Sequence, residues 1–338
     1  MPIARCVRFV VLALTLCFCF AATPAAAWNS AGHMIISIVA FDHMDAATQT
    51  KSLELLRLHP RYDEHFLSAL PYELHEAPES ERALWAFAYS STWPDVVRSV
   101  SDRVSRDDVN RYSRPYWHYV NEPVFLNEAD ERALRPTLTF NRDRVPPADL
   151  DYREMNIIQA IKNSSRIVAD KSAAADLRAV HLCWLLHLGG DSHQPMHSCA
   201  LVTSRRYPEG DHGGNFLHYE HDYPLHAFWD SVLSTEESYA VIRRSAADLQ
   251  LNAELAAAGE KAALALDPGA WIDEGCILAK KYAYSPEVVT KIAAREGHPH
   301  LGDLNPSPQY EIDAENVAEQ QAVVAGHRLA KLLEQLLK

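Results

Sequence analysis

Two short patterns constrain this chain more than anything else in it: His187-x-x-x-Asp191 and His226-x-x-x-Asp230. Positions i and i+4 share one face of a helix, so each pair can serve a single ion only where its segment is helical. Ala173 to Leu188 leads into the first pair with helical apolar spacing, and Pro195 predicts a turn that brings His197 back toward the same cavity. The same spacing predicts helices over Ala31 to Met44, Ala47 to Leu58, Glu79 to Ala88, Asn156 to Ala169, Ala240 to Leu264 and Ala314 to Leu337. Loops are expected over Pro136 to Leu150, Arg205 to Gly214 and Gly297 to Gln309. With 12 glycines in 338 residues, the composition suits helices joined by Pro- and Asp-containing loops, not a sandwich with many tight turns. There is no internal repeat and no linker-like stretch, so the expectation is an all-α fold in a single domain.

The N-terminal segment has a separate purpose. Arg5 and Arg8 precede an apolar run from Phe9 to Phe20, and Ala25, Ala26 and Ala27 supply the small residues at which a leader is cut. The run is shorter than the roughly 20 residues of a membrane span, which favours export over anchoring. Residues 1–27 are therefore expected to be a cleaved signal peptide, with a mature domain of residues 28–338 that is secreted or periplasmic. Without Arg5 and Arg8 the mature chain has 30 basic residues against 45 acidic ones, a net charge of −15. A broad basic face that grips nucleic acid by replacing counterions is excluded. A nucleic-acid enzyme whose positive charge resides in bound metal is not. Cys183, Cys199 and Cys276 are the cysteines of the mature chain, in no Cys-x-x-Cys spacing, so at most one disulfide forms and no zinc finger is present.

Imidazole and carboxylate without thiolate suit zinc sites that keep a position open for water. One i, i+4 pair alone is commonly a surface hydrogen bond or a satisfied core imidazole; two pairs together with His197 make a cluster. A carboxylate-bridged di-iron bundle needs two Glu-x-x-His motifs on helices, and the one candidate, Glu209 to His212, falls in a Gly-containing loop. Cleavage after Ala27 gives Trp28 a free α-amine that a metal can deprotonate, so its amine and carbonyl form a five-membered chelate. His33 lies one helical turn away.

These residues resemble the zinc-dependent S1/P1 nuclease family. The resemblance is carried by the start Trp28-Asn29-Ser30-Ala31-Gly32-His33, the block Ser91 to Arg98, the pair Trp117-His118, the run His187 to His197, the loop Gly210 to Asn215 and the stretch Leu225 to Asp230. Trp271 to Glu274 and Ala325 to Ala330 are similar to its C-terminal blocks, so the likeness extends over the whole mature chain. It implies a helical fold of the phospholipase C/P1 nuclease kind holding three zinc ions in a cleft. Asp95, His118, His187 and Asp191 would hold one. The amine and carbonyl of Trp28, with His33 and Asp191, would hold a second, and His197, His226 and Asp230 a third, more open ion.

The implied activity is endonucleolytic hydrolysis of single-stranded DNA and RNA to 5′-phosphorylated products, with 3′-nucleotides as further substrates. Three Zn²⁺ set against three aspartates would make the cleft about +3, enough to draw a phosphodiester into an acidic protein. Metal-bound hydroxide, formed because zinc lowers the pKa of water to about 7, would be the nucleophile. Asp95, Asp191 and Arg98 are the implied catalytic residues, Arg98 as a fork on the phosphoryl oxygens. Tyr119 would stack on a base and Asn121 bond its edge, Asn215 flanking the cleft. Relatives often carry a carboxylate where Asn121 stands, and an amide donates as well as accepts. His193 is expected to orient neighbouring groups, and His181, His212, His218 and His221 to be structural or surface residues. The alternatives from other classes are a zinc phospholipase C acting on phospholipid head groups and a non-enzymatic zinc-binding protein. No stable protein partner and no membrane anchor are implied, and the expected state is a monomer.

Overall fold

Asn29 opens the first helix by accepting a hydrogen bond from the Gly32 N–H, a side-chain cap. The structure, a computed structural model, describes residues 28–338; the expected signal peptide lies outside them. Helix α1 (Ser30–His43) is buried continuously from Ala31 to Ala40, so it runs through the interior and not along the surface. Asp45 caps α2 (Ala46–Leu56), and α3 (Glu79–Ser90) leads into the short α4 (Trp93–Val96), whose second residue, Pro94, suits a helix start. A reciprocal capping box between Ser105 and Asp108 starts α5 (Arg106–Tyr112). Strand β1 (Glu122–Phe125) and α6 (Glu128–Leu134) follow. Asn156 and Gln159 form a second box at α7 (Ile157–Ala169), which packs along α8 (Ala175–Asp191).

Strand β2 (Cys199–Val202) pairs in parallel with β1, Glu122 opposite Cys199 and Phe125 opposite Val202. Strands β3 (His218–Glu220) and β4 (Tyr223–Pro224) form an antiparallel pair that leads straight into α9 (Leu225–Ser231). The expected single helix Ala240 to Leu264 is two, α10 (Tyr239–Leu251) and α11 (Ala253–Ala262). Asn252 ends the first in extended backbone and caps the second by accepting from Glu254 and Leu255. Helices α12 (Pro268–Leu278) and α13 (Pro286–Ala294) precede α14 (Pro308–Leu336), which begins at a proline earlier than its apolar spacing predicts.

Helix α14 lies across α1 at close range: a Cβ on Gly326 would stand 2.5 Å from Val39. Three apolar clusters make up the core. One gathers around α7 and α8, one around α1, α3, α10 and α14, and one around α9, α12 and β2. The C-terminal end of α8 is buried, Gly189 packing against Leu329 of α14 and Gly190 against His33 of α1. The three expected loops carry little regular structure beyond a helical turn at Arg135–Thr137 and the first residues of α14, and the all-α reading holds; the apolar spacing did not predict the two small strand pairs or the helices α4, α5, α6, α12 and α13. Among the described residues no helix is long and apolar enough to cross a membrane.

Candidate metal centre

The expected side-chain ligands come from six separate segments of chain, each fixed locally before it meets the others. His33 sits in the first turn of α1, and Asp95 in α4. His118 ends the helical turn Pro115–His118; His187 and Asp191 close α8; His197 ends the turn Pro195–His197; His226 and Asp230 lie on α9. All are buried except Asp95, whose side chain is 22% exposed and marks the open side.

The facing atoms converge. His118 Nδ1 is 2.9 Å from His187 Nε2, and Asp191 Oδ2 is 3.1 Å from each of them. Asp95 Oδ1 approaches the same two nitrogens at 3.8 and 3.9 Å. The other carboxylate oxygen of Asp191 lies 3.3 Å from His33 Nε2, so Asp191 faces two groups at once. His33 stacks on His187 with ring centroids 4.0 Å apart, a close approach possible because residue 190 is glycine: a Cβ there would meet His33 Nδ1 at 2.9 Å. On α9 and the Pro195 turn, His197 Nε2 and His226 Nε2 are 3.1 Å apart, with Asp230 oxygens at 3.7 and 3.4 Å respectively.

Backbone carbonyls set which nitrogen faces inward. Ser91, His118 and Gly213 carbonyls each lie 2.7 Å from Nδ1 of His187, His197 and His226, which presents Nε2 of all three to the recess. Carbonyl partners of this kind leave no trace in residue identity, and sequence reasoning missed them. The turn at Gly213 also leaves no room for a side chain, since a Cβ would stand 2.6 Å from the Met196 carbonyl.

Burial disfavours charge on these imidazoles and lowers His33, His118 and His226, His118 to about 4. It also opposes charge on His187 and His197, yet the Asp191 carboxylate prevails at both, joined by Asp95 at His187 and by Asp230 at His197, and His197 reaches about 9. Asp191 and Asp95 are held low by the surrounding imidazoles despite their burial, whereas burial raises Asp230.

The donor set fits divalent zinc. His33 Nε2 and Asp191 Oδ1, which face each other, are buried without a hydrogen-bond partner among the described residues. Buried polar groups of this kind are expensive unless something binds them. Donor atoms bound tetrahedrally at 2.0–2.1 Å lie about 3.3 Å apart, close to the 2.9–3.4 Å spacings of the facing pairs. His33, Asp95 and His187, then His118, His187 and Asp191, then His197, His226 and Asp230 form three groupings with metal-ligand spacing. A fourth, His218 with Asp222 and Asp303, lies at the surface, the Asp222 side chain being 91% exposed.

Trp28 is fully buried beside these groups, its indole donating to the Gly190 carbonyl at 3.1 Å. Arg98 donates from Nη1 to Asp95 Oδ1 at 3.0 Å and has an 11% exposed side chain at the rim. Tyr119 and Asn121 share a cavity of about 340 Å³ with Tyr116, Phe140 and Asn156. Val120 donates to the His197 carbonyl and Ile157 to the Tyr119 carbonyl, which ties this pocket wall to the metal ligands. Asn215 does not line that cavity; its amide donates to the His212 carbonyl within its own turn at 2.7 Å. His193 faces away from the cluster, its Nδ1 on the Gly189 carbonyl and its Nε2 on Arg328, which forms a two-bond ion pair with Glu274. His181 is buried on Ser164 between α7 and α8. Cys183, Cys199 and Cys276 are buried and free.

Within this helical fold, three buried or half-buried histidine and aspartate groupings have the spacing to hold metal ions. The chain belongs to the S1/P1 nuclease family, whose model matches residues 28–338. No curated protein matches the chain.

Proposed function

We propose that the protein is an exported, zinc-dependent endonuclease that hydrolyses single-stranded DNA and RNA to 5′-phosphorylated products and acts on 3′-nucleotides. One observation carries the reading: the groupings of metal-ligand spacing meet around Asp191, which lies within 3.1–4.0 Å of His33, His118, His187 and His197, and the chain segment that supplies His118 continues directly into a base-sized cavity at Tyr119 and Asn121. Asp95, His118, His187 and Asp191 would hold one ion, Trp28, His33 and Asp191 a second, and His197, His226 and Asp230 a third. Bound zinc supplies a water-derived nucleophile near neutral pH and polarises phosphoryl oxygens.

The chain's own residues do the rest. Arg98, oriented by Asp95, places a guanidinium where charge develops on the phosphoryl group. The Ser91, His118 and Gly213 carbonyls hold three imidazoles in the tautomer that binds metal. Tyr119 offers an aromatic face to an unstacked base and Asn121 an amide to its edge. A ligand set this deeply buried cannot meet phosphates held in a regular duplex, which accounts for single-strand preference. The start of the family match at Trp28 supports a mature chain that begins there and an exported location.

The test is purified mature protein with zinc, offered single-stranded DNA and phosphatidylcholine micelles in parallel. Cleavage of the DNA alone is expected. Cleavage of the lipid alone means a phospholipase, and zinc binding with neither activity means a storage protein.

A further inference from the structure

Gln194 is fully buried between two of the metal groupings and bonds to both. Its backbone N–H donates to the Asp191 carbonyl at 3.0 Å, and its carbonyl accepts from the His197 N–H at 3.0 Å. Its side-chain Oε1 accepts from the Met196 N–H, which fixes the amide's orientation and turns Nε2 toward Asp230. Nε2 donates to Asp230 Oδ1 at 2.6 Å. The opposite carboxylate oxygen, Oδ2, then faces His226 Nε2 at 3.4 Å, while Oδ1 itself lies 3.7 Å from His197 Nε2.

We infer that Gln194 is a positioning residue for the third metal site: by engaging Asp230 Oδ1 it fixes the rotation of the carboxylate, favours Oδ2 as the oxygen offered to a metal, and sets the distance from that site to Asp191. The inference rests on the metal reading proposed above. A carboxylate free to rotate would offer both oxygens and fill a coordination position that a substrate oxygen needs. With one oxygen committed to an amide donor, the His197, His226 and Asp230 set supplies three ligand atoms and stays open. Gln194 also makes the junction rigid. It belongs to the turn that follows α8, so a shift of Asp191 moves Asp230 with it.

The experiment uses Gln194→Met and Gln194→Glu, each dialysed as the zinc-loaded protein against a graded series of zinc buffers, with retained zinc counted. Gln194→Met removes both side-chain bonds, whereas Gln194→Glu keeps an acceptor for Met196 and replaces the donor to Asp230 with a second carboxylate. Both variants are expected to lose one ion about 10- to 100-fold more readily than wild type while the other two dissociate as before. Wild-type helical content at saturating zinc should be retained in both variants, and cobalt substitution should show the spectral change confined to one ion. Unchanged retention of all ions, or uniform weakening of all of them, overturns the inference. An effect in Gln194→Met alone places the role in the Met196 contact and also overturns it. A wild-type protein that holds no metal at His197, His226 and Asp230 defeats the functional reading itself, a result distinct from the other three.

Discussion

Asn29 donates its backbone N–H to the carbonyl of Asp230 at 2.9 Å, so the residue next to the expected mature terminus is docked on the helix that carries the third ligand set. The Asn29 side chain reaches the Ser234 carbonyl from the same place, and Trp28 is buried one residue earlier. In a mature chain that begins at Trp28, this docking would hold the free α-amine next to the helix that carries Asp230.

A variant secreted with one extra residue before Trp28 should therefore retain its fold, lose one zinc and lose more than about 90% of its turnover, because an amide nitrogen is a far poorer ligand than an amine. Mass spectrometry of the terminus, zinc counting and a nuclease assay on the same sample check this. Equal turnover with an extended terminus would rule out the chelate.

Arg98→Lys keeps a positive charge beside Asp95 but loses the planar fork. Its kcat on single-stranded DNA is expected to fall about 100-fold or more, the range found when one transition-state donor is removed, with zinc content unchanged. A kcat within twofold of wild type would show that Arg98 serves only its ion pair with Asp95.

Stacking on an aromatic ring contributes about 1–3 kcal/mol per base, so Tyr119→Ala should lower kcat/KM by about 5- to 150-fold. The loss should appear mainly in KM, since the ring meets the base and not the reacting phosphate. Steady-state kinetics on a short oligonucleotide decides it; a pure kcat effect contradicts the assignment of this cavity to the base.

Asp211 holds the loop that presents the Gly213 carbonyl to His226. Its buried carboxylate accepts from the Tyr284 hydroxyl at 2.9 Å and from the Leu201 N–H at 2.9 Å, and burial pushes it up to about 7. A carboxyl raised in the folded state keeps its proton between the ordinary range near 4 and about 7, while the unfolded chain has already lost one. Stability therefore falls as pH rises through that window. Asp211→Asn cannot ionise, so its stability relative to wild type should rise by about 2–3 kcal/mol between pH 5 and pH 8, measured by denaturant titration at saturating zinc. Parallel pH profiles for the two proteins would contradict it.

Several features of this molecule are written locally and were legible from residue order. The i, i+4 pairs place His187 with Asp191 and His226 with Asp230 because a helix fixes that geometry wherever it packs. Capping side chains set several helix starts, among them Asn29 and Asn156. Less was legible where long-range contact decides. Helix α4 has four residues, too few for a period, yet it delivers Asp95 and leads directly to Arg98. The break at Asn252 hides within one continuous helical spacing, because the competing cap is a side-chain hydrogen bond and not a loss of apolar pattern. The convergence of His33, His118 and Asp191 depends on α1, the Pro115 turn and α8 packing together, and no local rule supplies it. Asn215 is a motif position whose amide donates within its own turn, a contact that residue order alone does not indicate.

Asp191 faces His33 through one oxygen and His118 and His187 through the other, which makes it the most informative residue to remove. Zinc counted per chain by elemental mass spectrometry, in the wild-type mature protein and in Asp191→Asn, tests the account directly. Three zinc ions in the wild type and one in the variant, with single-strand cleavage reduced more than about 100-fold, is the predicted result, since loss of a shared ligand exceeds the 10- to 100-fold cost of an outer partner. A wild-type protein without stoichiometric zinc, or an Asp191→Asn protein that holds all its zinc and cuts single strands at the wild-type rate, would contradict it.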